Sequence, residues 1–414
     1  LFVVLMWRAR LSRTSARKIH PRYQCYALCG CVITVLVLVT FMIDIMAIRP
    51  TVNTDLRRLQ QIGLAAEKEW LPVMKHGVTQ TVNSFHKGLA QKFEIVFESG
   101  HVVAGKPILP ETLFGLEQYK TVPFKDLQSR QQRGMKRAEW EYQGWSEIVS
   151  YHVDKVLGFH KKPPIVGRVF SSKELYANDP TWTGLIRRLG PSYDIPLALL
   201  PWVDGLQRAI PSLEIRDYLI GNSTSTVSRS FLSKALAAAD KLIFDFLVDD
   251  HDTQGTQNWK ADMSGTLLHW DTGLGWKDGP YAHTSCYDIL CGTKAWKGVE
   301  HHDPNPETCD RICKFRKSTV EKLRHLQQET DSKKRLGWLV NESLKADELY
   351  PVFDLAIWRY YTYDKDGNRA SSVTTHTSVD DFFIGMNDKI DRLLRHVDDC
   401  ALTFGGEENI LLEE

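Results

Sequence analysis

Phe244-Asp245-Phe246-Leu247-Val248-Asp249-Asp250-His251-Asp252, followed by Trp259-Lys260, Thr266 to Trp270 and Asp271-Thr272-Gly273, is the stretch on which the fold turns. Residues Phe231 to Leu247 are apolar along their length, which predicts a buried helix that delivers the Asp249-Asp250-His251-Asp252 cluster at its end. Trp259-Lys260 and Thr266 to Trp270 flank Ser264-Gly265 as a short hairpin. Asp271 follows where the chain leaves the second strand, and Gly273 and Gly275 permit a sharp turn after it. Two carboxylates at the ends of rigid elements, one on each side of a hairpin, suit phosphoryl transfer. One orients or deprotonates an attacking hydroxyl, and the other holds a divalent metal against nucleotide phosphates. A short run of aspartates on its own is as often a solvated acidic loop.

Working outward, Phe93 to Phe97 and His101 to Val103 read as two short strands around Ser99-Gly100. A helix is expected over about residues 139–158, because Trp145, Ile148, Val149, Val156 and Leu157 recur at helical spacing. Pro163-Pro164 ends that helix, and beyond Ser318 the pattern is helical almost to the C-terminus. A strand-rich first part and a helix-rich second part predict an α+β fold with two lobes.

The chain has 414 residues, 43% of them hydrophobic and 25% charged, an ordinary globular composition with room for a large core. A formal net charge of +1 gives no reason to propose nucleic-acid binding. Charge is concentrated locally instead: Arg8, Arg10, Arg13, Arg17, Lys18 and Arg22 precede an apolar run from Cys25 to Ile43 that continues to Ile48. That length matches the hydrocarbon core of a bilayer, and the one-sided basic flank keeps the N-terminus cytoplasmic. A type II signal-anchor is therefore expected at 25–48, behind a cytoplasmic tail at 1–24 and ahead of a polar stem at 49–92. The rival is a cleaved signal peptide, against which stand the length of the run and the poor cleavage site at Ile45-Met46-Ala47.

Cys286, Cys291, Cys309, Cys313 and Cys400 fall in the C-terminal third with no spacing that suits a compact zinc site, so disulfides in an oxidising compartment are expected. The sequons at Asn222 and Asn341 are candidate glycosylation sites there.

Several segments resemble one family. Ser146-Glu147-Ile148-Val149-Ser150-Tyr151-His152-Val153-Asp154-Lys155-Val156-Leu157 is similar to its N-lobe helix, and Pro163-Pro164-Ile165-Val166-Gly167-Arg168 to a hallmark that follows it. Phe244-Asp245-Phe246-Leu247 precedes the catalytic loop there, and Cys313-Lys314-Phe315-Arg316-Lys317-Ser318-Thr319 resembles its C-lobe signature. The family is that of the secretory-pathway atypical kinases, four-jointed, the Golgi casein kinase and the glycosaminoglycan xylosylkinase ("family with sequence similarity twenty"). The likeness spans roughly Phe93 to Cys400.

The resemblance implies a two-lobed kinase-like fold, with an N-lobe at 93–204 and a C-lobe at 205–414. It implies Asp252 as catalytic residue, Asp271 as metal ligand, and Lys106 with its partner Glu147 as the nucleotide-binding pair. Asn258 is a candidate second metal ligand, and a Cys313–Cys400 disulfide is implied. The cofactors would be ATP with Mn2+ or Mg2+, and the acceptor a hydroxyl of a secreted or cell-surface protein or of a proteoglycan glycan. Localisation would be the Golgi membrane with the catalytic domain lumenal, or secretion after cleavage; a homo- or heterodimer with a related kinase stays open. The sequence departs from the family at Asp250-His251-Asp252-Thr253, where Asn-x-Asp-Arg is usual, and at Asp271-Thr272-Gly273, where Asp-Asn-Gly is usual. Two rivals remain. One is an inactive partner that activates a homologous kinase. The other is a type II glycosyltransferase using Asp250-x-Asp252, which would leave Lys106, Glu147 and Asp271 without roles.

Overall fold

Ala66, Trp70 and Met74 recur every four residues, and this apolar stripe is the buried side of the first helix, α1 (Leu64–His76). It covers one face of an antiparallel sheet built from β1 (Thr79–Phe85), β2 (Lys92–Phe97) and β3 (Val102–Pro107). The computed structural model describes residues 64–85, 92–108, 143–171, 174–175, 194–203, 205–222, 227–250, 258–273, 286–291, 310–351 and 379–413. All belong to one unit, Arg58–Glu414. The expected signal-anchor at 25–48, the tail before it, and Asp252 lie outside the described residues. No helix among the described residues is long and apolar enough to cross a membrane.

Helix α2 (Gln143–Leu157) follows β3 in the described chain, then β4 (Val166–Ser171) and β5 (Asp194–Pro201) complete the sheet in the order β1-β2-β3-β5-β4. Every pairing in it is antiparallel. Period-two alternation sorts the faces: Phe93, Ile95 and Phe97 of β2, and Leu197 and Leu199 of β5, pack with Trp70 and Met74. The opposite face meets α2 through Ile108, Trp145, Ile148, Val149 and Ala198. Residues 64–85, expected in the stem, are thus part of the folded body: Trp70, Met74 and Val82 have an apolar surface to bury, and β1 supplies the backbone partners of β2.

The second part opens with β6 (Gln207–Arg208) and α3 (Leu213–Leu219), then the buried helix α4 (Arg229–Leu247). Ser228 caps α4, its Oγ accepting from the Phe231 amide at 3.2 Å, so the helix starts two residues before the apolar run. The hairpin β7 (Trp259–Ala261) and β8 (Leu267–His269) joins β6 in a three-stranded sheet. Cys286–Cys291 is a short 3-10 helix, and Cys291 is disulfide-bonded. Next come β9 (Phe315–Arg316), α5 (Lys317–Gln328), α6 (Leu336–Leu344), α7 (Val379–Phe404) and β10 (Leu411–Leu412), which pairs in parallel with β9. The Cys313–Cys400 disulfide joins the strand side of this layer to α7, with Cα atoms 5.3 Å apart. Arg316 Nε donates to Asp240 at 2.6 Å and Thr319 Oγ1 to the same carboxylate at 2.8 Å, tying the signature segment to α4.

The Asn341 sequon needs correction as a glycosylation site. Asn341 lies within α6, only 1% exposed, and its Oδ1 accepts from the Tyr350 hydroxyl at 2.9 Å. A glycan there has no solvent to occupy. Asn222, by contrast, is exposed just beyond α3.

Candidate active site

Along β3, Val103 and Gly105 face the α1 core, which turns Ala104 and Lys106 toward a cleft beneath the sheet. Helix α2 begins against the end of this strand. A Cβ on Gly144 would stand 2.8 Å from an Ile108 side-chain carbon and 3.0 Å from the Lys106 carbonyl oxygen, so glycine permits the close approach. Glu147, less than one helical turn later, therefore reaches Lys106: its Oε1 accepts from the Lys106 ammonium.

The other oxygen of Glu147 is also taken. Oε2 accepts from Lys162 Nζ at 2.7 Å and from Thr272 Oγ1 at 3.0 Å. Lys106 Nζ reaches a second carboxylate, Asp271 Oδ1, at 2.6 Å. Ser146 Oγ donates to the Thr272 carbonyl at 2.8 Å, fastening the turn after β8 to α2. Residues separated by 165 positions are thus in direct contact. Asp271 adopts φ +52°, a left-handed conformation that asparagine and aspartate tolerate better than most residues. Its side chain is 34% exposed, against 2% for Glu147.

Electrostatics follow from this burial. Burial pushes the Glu147 carboxyl up, but the Lys106 and Lys162 ammonium groups outweigh it and hold the carboxyl well below the usual range. Burial likewise pulls Lys106 down, and Asp271 and Glu147 together raise it above its ordinary value. Both are therefore charged at neutral pH. Behind them, His269 Nδ1 lies 2.6 Å from Asp154 Oδ1 and stacks on Phe244, ring centroids 3.9 Å apart. Burial lowers His269 to about 4 despite the Asp154 carboxylate.

The cleft has a volume of about 440 Å³, in the range of small-molecule sites. Ala104, Ile165 and Leu200 give it an apolar part, and Lys92, Lys106 and Asp271 a charged one. Apolar and charged lining together suit a nucleotide, which carries both a flat base and phosphates. A divalent ion fits at Asp271, whose carboxylate opens to the cleft beside an ammonium group. Glu147 does not fit as a metal ligand, because three donors occupy its two oxygens. A larger open groove, about 1290 Å³, is lined by residues of the hairpin, α4 and α5 and contains none of Lys106, Glu147 or Asp271.

The structure brings Lys106, Glu147 and Asp271 together. Asn258 is instead buried immediately before β7 and does not line the cleft. Asp249 and Asp250 are fully buried, with Asp249 Oδ1 3.4 Å from Lys389 Nζ of α7, and neither lines the cleft. Sequence reasoning missed Lys162 and Lys92. Lys162 stands just before Pro163-Pro164 and Lys92 at the end of the expected stem, and neither belongs to a motif that marks it.

An antiparallel sheet whose strand lysine pairs with a helix glutamate, set over a helical part whose hairpin ends in an aspartate, defines the protein-kinase-like class of fold. Among solved structures, the chain is similar to the crystal structure of the Golgi casein kinase, at 14% identity and a TM-score of 0.51, over 84% of this chain and 79% of that one. The same kinase with Mn/ADP bound gives 14% identity, a TM-score of 0.51 and coverage of 84% and 78%. At this identity the likeness is one of fold. No family model matches the chain, and no curated protein matches it in sequence.

Proposed function

We propose that this chain is a metal-dependent kinase of the secretory pathway that transfers the ATP γ-phosphate to a hydroxyl of a secreted protein or a glycan. The observation that carries the reading is Lys106, held between Glu147 and Asp271 in a cleft lined by both apolar and charged side chains. Glu147 keeps Lys106 charged and aimed, and Lys106 presents that charge to the phosphates. Asp271 would hold a divalent ion, Mn2+ or Mg2+, whose chemistry would be to supply positive charge to the phosphates. Asp252, expected after α4, accepts the proton of the acceptor hydroxyl. The nucleotide in the solved Golgi casein kinase is ADP with Mn, which supports ATP and manganese as the pair to test first. The apolar run at 25–48 and the disulfide between Cys313 and Cys400 support a Golgi membrane anchor and a lumenal body.

Incubating the purified chain with Mn2+ and either ATP or UDP-sugars tests this. ATP turnover supports the kinase, UDP-sugar turnover overturns it in favour of a glycosyltransferase, and ATP binding without turnover points to an inactive partner of a related kinase. Asp252→Ala should bind ATP with near-normal affinity while transfer collapses; retained turnover removes Asp252 from the chemistry.

A further inference from the structure

Lys162 has no part in the roles assigned so far, yet it is one of the most enclosed cations among the described residues, with a side chain 1% exposed. The chain holds it in place from both sides. The Lys161 amide donates to Asp154, and the His269 amide donates to the Lys161 carbonyl at 3.1 Å, so residue 162 is clamped against β8. Pro163 and Pro164 then fix the backbone direction. From there Nζ donates to Glu147 Oε2 at 2.7 Å, Thr272 Oγ1 at 2.7 Å and the His269 carbonyl at 3.4 Å. Its three hydrogens have three acceptors.

The consequence is a matter of charge and of lone pairs. Two ammonium groups, Lys106 and Lys162, offset two carboxylates, Glu147 and Asp271, so the cluster is neutral before a nucleotide arrives. Without Lys162 it would carry a net negative charge in a buried site, and a second metal cation would be the natural counter-charge for Glu147. With Lys162 in place, a metal reaches Glu147 only by displacing a buried, fully satisfied ammonium group, which costs far more than a surface exchange.

We propose that Lys162 is a fixed cation of the phosphate site: its ammonium group closes Glu147 to metal ions, so that nucleotide is held with a single divalent ion on the Asp271 side. Lys162 is a positioning residue, acting through Glu147 and the Thr272 turn. The inference rests on the kinase reading above and adds the metal count of the site.

The test counts manganese. The full-length protein is titrated with Mn2+ at a saturating concentration of a non-hydrolysable ATP analogue, and free Mn2+ is followed by its paramagnetic resonance signal. One Mn2+ per bound nucleotide is expected, and Glu147→Gln should leave that count at one while weakening nucleotide affinity. Lys162→Met should raise the count to two and make affinity depend on a second Mn2+. Two ions in the unaltered protein, an ion lost in Glu147→Gln, or a folded Lys162→Met that stays at one ion overturns the proposal. Should Lys162→Met fail to fold, the other two counts decide. A chain that binds no nucleotide overturns the kinase reading itself, a result separate from any of these.

Discussion

Two buried lysine–carboxylate groups in this molecule make an instructive contrast. In α4, Lys241 Nζ donates to both oxygens of Asp245 at 3.1 and 2.9 Å, four residues away on the same helix, and both side chains are fully buried beneath the Trp259 ring. Under the sheet, Lys106 and Lys162 meet Glu147 and Asp271 from four separate segments, and one of the carboxylates opens to a cleft. Burial and charge are common to both. What separates them is that the helix pair is local and closed, whereas the sheet cluster is assembled across the chain and retains one exposed ligand. A closed pair serves the core; an open one has capacity left for a ligand.

The sharpest way to break this contrast is to remove one carboxylate from each. Asp271→Ala should weaken Mn2+-dependent nucleotide binding by about a hundredfold or more while leaving thermal unfolding near the unaltered value, as Lys106 keeps Glu147. Unchanged nucleotide binding in a folded Asp271→Ala protein removes the residue from the site. Asp245→Ala should do the reverse, costing about 3–5 kcal/mol in chemical denaturation because it leaves Lys241 buried without the carboxylate to which it donates. A loss below about 1 kcal/mol would mean that the α4 pair is not the core element described.

A smaller effect is expected from the cross-link. The disulfide closes a loop of 87 residues and fastens α7 to the layer beneath α4. Replacing Cys313 and Cys400 together by serine should destabilise the protein by about 2–5 kcal/mol, with nucleotide affinity unchanged at temperatures where it stays folded. Recovery of a Cys400 peptide that alkylates without reductant would contradict the bond.

The smallest effect concerns pH. Burial, helped by Lys155, lowers His152 to about 3, and its ring nitrogen lies 2.7 Å from the Ser343 hydroxyl. The folded value lies below the unfolded one of about 6.5, so the stability that neutral His152 contributes is complete above that pH. It drains away as pH falls toward about 3, when the unfolded chain binds the proton first. Between pH 7 and pH 5 this amounts to about 1–2 kcal/mol, and His269 acts in the same direction. Denaturation midpoints at the two pH values measure the slope, and His152→Gln should flatten it.

Much of the frame is legible in the sequence. The apolar run at 231–247 is α4, shifted only by the Ser228 cap, and the Ser264-Gly265 turn joins β7 to β8. The strand expected at 101–103 extends to Pro107 because β5 supplies it a long partner, and that extension puts Lys106 on a strand facing the cleft. Strands β4 and β5, and β1 within the expected stem, escaped because their burial is imposed by neighbours distant in sequence. The Asn341 sequon failed for a related reason: three residues of pattern say nothing about whether a side chain faces solvent.

The sequence by itself determined the elements whose signal is local: the helical periodicity of α2, the apolar length of α4, the hairpin, and the cysteines that the resemblance paired. It also named Lys106, Glu147 and Asp271, through motif likeness. Only the tertiary structure decided that these three touch, that Asp250 is buried outside the cleft they line, and that Lys162 stands on the second oxygen of Glu147. The physical reason is range. Periodicity and turn chemistry act over a few residues, whereas a charged cluster buried from water exists only where packing from remote segments excludes solvent and brings opposite charges within hydrogen-bonding distance.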